Sequence, residues 1–212
     1  MEYVITGREP ADALRFFEEI SAIPRGSKNE AGIAAYLKKF AQDRGLEFEE
    51  DEFHNVIIRK PGSKGCENLP SVMLQGHTDI VCEKNNDVQH DFEKEGLKLQ
   101  LDGDILTAKG TTLGADDGFA IAYMLAVLDR NDLVHPPLEC VMTAMEEIGL
   151  VGAMKMKPGM IKSKRMIGMD GGGEGKCLAS SAGGNYVYIT VPAKWVPAQG
   201  QALDIAVRGL LG

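Results

Sequence analysis

The sequence is short of several things, and each shortage excludes something. Basic residues are outnumbered: 23 Lys and Arg face 31 Asp and Glu, for a formal net charge of −8. A nucleic-acid or anionic-membrane surface needs clustered cations, so neither partner is expected. Long apolar runs are missing. The longest, Phe119–Leu128, falls far short of the ~20 residues that cross a bilayer. The N-terminus has no basic stretch followed by an apolar one, so no secretory signal is visible. The four cysteines, Cys66, Cys82, Cys140 and Cys177, form no CxxC pair and are read as reduced thiols of a cytoplasmic protein. There is no Gly-x-Ser-x-Gly elbow, no P-loop and no dinucleotide fingerprint. No internal repeat or low-complexity tract appears.

What is present is ordinary globular material: 44% hydrophobic and 25% charged residues, enough to offset chain entropy. Ala13, Phe16, Phe17 and Ile20 share one helical face, with Pro10 at the first turn and an end before Pro24. Ser27-Lys28-Asn29-Glu30 reads as a capping box for a second helix, which carries Ile33, Tyr36, Leu37 and Phe40 and stops at Gly45. Strands are expected at Leu46–Glu50, Asn55–Arg59 and Val72–Gln75, a hairpin around Asp102-Gly103, and buried strands at Leu138–Ala144 and Arg165–Met169. Helices are expected from Gly118 to Arg130 and near Val151–Lys157. This alternation predicts an α/β fold: a central, mixed and mostly parallel sheet with helices on both faces. After Gly184 the texture changes to two exposed-type strands, Tyr186–Pro192 and Leu203–Arg208, so a second domain is expected to begin there and to be cut short.

Four expected strand or helix ends carry groups able to hold metal: His77 and Asp79, Asp116 and Asp117, Glu146 and Glu147, and Asp170 ahead of three glycines. In open α/β sheets ligands collect at the carboxyl edge of parallel strands. If the strands are neighbours, one imidazole and several carboxylates converge, and two divalent cations would neutralise the cluster. His77 and Asp79 project to one side, where the carboxylate can fix the imidazole tautomer. Asp117 can cap the helix while Asp116 points into the crevice. The flanking Gly114 and Gly118 permit close backbone approach and unusual dihedrals. Of the adjacent glutamates, one can ligate while the other takes a proton from water. His54, His90 and His135 read as surface residues.

The stretches LQGHTDIV, TTLGADDGFAIAYMLAVLD, HPPLECVMTAMEEIGLVGA and IGMD resemble the M20 family of di-zinc peptidases, in particular its aminoacyl-histidine (Xaa-His) dipeptidase branch. That resemblance implies a three-layer catalytic domain (residues 1–184), followed by the start of an α+β lid domain (185–212). It implies two Zn2+, with Mn2+ or Co2+ as substitutes. His77 and Asp170 would hold one zinc, Glu147 the other, and Asp116 both. Asp79 would orient His77, and Glu146 would be the general base on the bridging water. It also implies a cis peptide between Asp116 and Asp117, a small peptide substrate and a homodimer formed through the lid. Asp117 stands where this branch often has Asn. The resemblance places a further zinc-binding histidine and most of the lid outside these residues, so the chain is read as an N-terminal portion. N-acyl amino-acid deacylation within the same family and a non-catalytic metal-binding fragment are the alternative readings.

Overall fold

The computed structural model describes residues 3–5, 7–173, 175–180, 187–194, 196–197, 200 and 203. Helix α1 spans Ala11–Ser21 and α2 spans Ala31–Asp43. They are followed by strands β1 (Glu47–Glu50), β2 (Val56–Lys60) and β3 (Val72–His77), and the hairpin β4 (Leu99–Asp102) and β5 (Ile105–Ala108). Then come α3 (Ala115–Asp129), β6 (Leu138–Thr143), α4 (Val151–Lys155) and β7 (Met166–Gly168). Five strands form one sheet in the order β1-β2-β6-β3-β7. The β1–β2 and β2–β6 pairs are antiparallel; β6–β3 and β3–β7 are parallel, with His77 level with Thr143. The expected α/β fold around a mixed sheet is therefore present.

Alternation along the strands sorts the side chains between the two faces. Val56 and Ile58 of β2, and Cys140 and Met142 of β6, face the three long helices. Phe16 of α1 meets Phe40 of α2 edge-on, and Phe17 stacks on Phe119 of α3 with ring centroids 4.2 Å apart. Burying each such ring stabilises by roughly 1.5–3 kcal/mol. On the opposite face Ile57, Met73 and Val141 pack under Met156 and Met160, which follow α4. Helix α2 stops as expected: Gly45 takes φ +64°, and the N–H groups of Gly45 and Leu46 return to the carbonyls of Gln42 and Ala41.

Several expectations are corrected. The capping box does not form. Helix α2 begins at Ala31, with Glu30 rather than Ser27 at the capping position and no side-chain cap; the Ser27 hydroxyl donates to Asp79 and the Glu30 carboxylate accepts the Met145 N–H. Strand β7 is exposed rather than buried, since among the described residues it is the edge of the sheet, paired with β3 alone. His90 is buried, against Phe92, instead of lying at the surface. Cys66, Cys82, Cys140 and Cys177 are free thiols. Among the described residues no helix is long and apolar enough to cross a membrane.

The chain divides into one compact unit through Lys176 and a second from Cys177. Of the strands expected in the second, residues 187–192 are described as exposed and without strand pairing, while Tyr186 and 204–208 lie outside the described residues.

Candidate metal centre

Parallel strands deliver their carboxyl ends to one edge, and the site lies there. His77 is the last residue of β3, Glu146 and Glu147 follow β6, and Asp170 follows β7. Asp116 comes from the start of α3, which packs against β3. His77 Nε2 stands at the centre: 3.0 Å from Asp116 Oδ1, 3.8 Å from Glu146 Oε2 and 3.9 Å from Asp170 Oδ2. Three overlapping sets bring their donor atoms within 4.8 Å of one another: His77, Glu146 and Asp170; His77, Asp116 and Glu147; Asp116, Asp117 and Asp170. The structure thus brings together every residue expected to hold metal, and the expected base with them.

The remaining expected residue, Asp79, is fully buried and bonds to more than the imidazole. His77 Nδ1 lies 3.0 Å from the Asp79 carbonyl and 3.4 Å from its carboxylate. That carboxylate also accepts the N–H groups of Glu146 (2.9 Å) and Glu147 (3.2 Å) and the Ser27 hydroxyl (2.7 Å). It ties the β6 loop to the β3 loop.

The first turn of α3 departs from expectation. Gly114, in the left-handed region at φ +66°, is the capping residue, and Asp117 does not cap. Asp117 is buried, and its Oδ2 accepts the His77 N–H at 3.2 Å. The Asp116–Asp117 peptide is cis, and both residues are non-helical. The neighbouring glycines serve another side chain, Arg25. A Cβ on Gly118 would lie 2.5 Å from Arg25 Nη2, and one on Gly114 2.9 Å from it. Arg25 is buried to 1% exposure and was not singled out from the sequence, where nothing separates it from a solvated loop arginine.

The electrostatics favour cations. Burial raises Glu146, and the charges of Asp170, Asp79 and Asp116 raise it further against the opposing effect of His77. Glu147 and Asp170 are raised for the same kind of reason. Asp117 is pushed up to about 7, first by burial, then by Asp170 and Asp116. Burial acts to lower His77, but its bonds to Asp79 and Asp116 outweigh that and carry it to about 9. Burial brings Arg25 down to about 10, which leaves it charged at neutral pH. One imidazole and one guanidinium do not balance these carboxylates. The donor set, one imidazole nitrogen with several carboxylate oxygens, fits divalent cations of the zinc or manganese type.

No family model matches the sequence. Cytosol non-specific dipeptidase of Escherichia coli (strain K12) is 38% identical over 200 residues, covering 92% of this chain and 41% of that protein. The crystal structure of aminoacylhistidine dipeptidase from Vibrio alginolyticus matches with a TM-score of 0.78 at 40% identity, over 81% of this chain and 35% of that one. A tripeptidase from Staphylococcus aureus matches with a TM-score of 0.64 at 25% identity, over 77% of this chain and 44% of that one. The chain spans about two-fifths of the length of the curated relatives it matches. With the sheet, the histidine and carboxylates gathered at its edge and these likenesses in agreement, the chain is a homologue of the cytosol non-specific and aminoacylhistidine dipeptidases of the M20 family.

Proposed function

We propose that the whole protein is a metal-dependent dipeptidase in which His77, Asp116, Glu147 and Asp170 hold two divalent cations, Zn2+ or its substitutes Mn2+ and Co2+. The observation that carries this reading is the convergence of Asp116, Glu146 and Asp170 on His77 Nε2 from separate strand and helix ends. His77, Asp116 and Asp170 each belong to two of the three donor sets, and Asp116, a carboxylate with two oxygens beside His77 Nε2, is suited to bridge. When bound, the cations supply Lewis acidity toward the scissile carbonyl and lower the pKa of the attacking water. Glu146 takes the proton from that water and passes it to the leaving amine; burial and its acidic neighbours raise its pKa, which suits a proton carrier. Asp79 holds both glutamate N–H groups and so sets where the two carboxylates emerge.

The relatives' names agree on short peptides and differ on breadth, one being non-specific and one aminoacylhistidine-directed. The proposed substrates are dipeptides, Xaa-His among them. The proposed setting is the cytoplasm, the proposed assembly a homodimer through a lid that begins at 185–212, and the proposed catalytic portion residues 1–184.

The test uses the full-length protein. Glu146→Gln is expected to keep its metal and to lower kcat by ~10²–10⁴, whereas Glu147→Gln is expected to lose metal. Near-normal hydrolysis of an Xaa-His dipeptide by Glu146→Gln overturns the base assignment. Both glutamates share a donor set with His77, so metal loss confined to Glu146→Gln exchanges their roles. Faster cleavage of N-acyl amino acids than of dipeptides overturns the substrate class.

A further inference from the structure

We propose that residues 25–30, within the connection between α1 and α2, are a positioning clamp for the metal centre, with Arg25, Ser27 and Glu30 each fastening different ligand-bearing loops. The proposal rests on the reading of His77, Asp116 and Glu147 as ligands.

Arg25 donates from Nη1 to the Thr78 carbonyl (2.9 Å), immediately after His77, and from Nη2 to the Gly114 carbonyl (2.7 Å), two residues before Asp116. One rigid, planar group thereby sets the spacing between the β3 loop and the start of α3. Gly114 and Gly118 leave the room it occupies. The backbone repeats the link: the Ile80 N–H donates to the Arg25 carbonyl, and Gly26 bridges to Ile80 in parallel fashion. Ser27 Oγ donates to Asp79 Oδ2, the same oxygen that accepts the Glu147 N–H. Glu30, 2% exposed, accepts the N–H of Met145 (3.0 Å), which sits at φ +54° directly before Glu146. Three of the four ligand-bearing segments are therefore fastened to one short connection whose ends are fixed by two packed helices. Among the described residues the three side chains bond to these three segments and not to the fourth, which carries Asp170.

Removing an outer partner of this kind typically weakens metal binding ~10–100-fold. The experiment measures Zn2+ affinity of the full chain by competition with a chromophoric chelator, alongside the melting temperature in excess chelator. Ser27→Ala and Glu30→Ala are expected to bind Zn2+ at least ~10-fold more weakly. Glu30→Gln is expected to restore most of the loss, because its amide oxygen still accepts the Met145 N–H. Arg25→Lys, which keeps the charge but not the two-carbonyl fork, is expected to fall in the same range; if it does not fold, the Ser27 and Glu30 variants decide. His77→Ala separates the two levels of the argument. Undiminished Zn2+ affinity in His77→Ala removes the metal reading and the clamp together. Loss in His77→Ala with unchanged affinity in Ser27→Ala and Glu30→Ala overturns the clamp alone. So does a loss that merely tracks melting temperature, with no rescue by Glu30→Gln.

Discussion

Strand β6 has an acidic group at each end, and the two ends are handled in opposite ways. Near its start, Glu139 is 3% exposed and bonds to Arg59 Nε at 3.0 Å; the same guanidinium reaches Glu47 at 2.8 Å and Glu49 at 3.3 Å. Burial alone would raise Glu139, but the N–H groups of Ser163 and Lys162, together with Arg59, outweigh it and hold Glu139 below the ordinary glutamate range. Just past the other end, Glu146 and Glu147 meet Asp116 and Asp170 around a single imidazole, and burial with the neighbouring negative charge raises the two glutamates. In the first cluster the one buried carboxylate has a cation of its own, and Glu47 and Glu49 stay open to water. The second leaves negative charge uncompensated, which is the condition under which an external cation binds.

The contrast can be broken most severely at the first cluster. Arg59→Met leaves the buried Glu139 carboxylate without its cation, held only by the Lys162 and Ser163 N–H groups, and is expected to cost ~3 kcal/mol of unfolding free energy in urea. A loss below 1 kcal/mol would show that Glu139 does not depend on its guanidinium. Next in size is the cation itself. Zn2+ at 100 times its dissociation constant is expected to add ~2.7 kcal/mol, read as a rise in melting temperature that a chelator abolishes. Glu139→Gln should keep that increment and His77→Ala should lose it; the reverse would assign metal to the wrong end of β6.

Acid sharpens the comparison with opposite signs. Glu139 is depressed in the folded state, so its contribution is present above its unfolded pKa and is lost as pH falls through the lower, folded value. Glu146, Glu147 and Asp170 are raised, so the unfolded chain ionises first; their penalty stands above the raised values and is relieved as pH falls through them. In chelator, Glu139→Gln is expected to flatten the acid loss of stability, and Glu147→Gln to remove part of the gain that precedes it. Swapped effects would mean that the two ends have been misread. The smallest effect is expected from Glu147→Gln at neutral pH without metal: stabilisation on the order of 0.5 kcal/mol, as for other relieved functional strain. Destabilisation there would contradict the repulsion.

Local pattern foretold much of the fold. The stripe Ala13, Phe16, Phe17, Ile20 is the buried face of α1, and Gly45 ends α2 where its freedom at positive φ is needed. The residues that cluster were legible too, because an imidazole or carboxylate directly after an expected strand end or at a glycine-flanked helix start is a one-dimensional signal. Partner choice was not. Ser27 and Glu30 carry the spacing of a capping box, yet both side chains bond to loops 52 and 115 residues away in sequence. Asp117 sits where a cap belongs and instead receives the His77 N–H. His90 lies in a polar stretch and is nonetheless covered by the fold around it.

The order of residues alone determined which chemistry was available: a histidine and several carboxylates placed after apolar runs, spaced so that a parallel arrangement would gather them at one edge. Only the folded chain decided who bonds to whom. Short polar side chains choose among local and distant partners of similar strength, and that choice depends on which groups packing has removed from water. The buried Arg25, the diverted Ser27 and Glu30, and the Glu139–Arg59 pair at the far end of β6 all follow from that competition, which no spacing rule records.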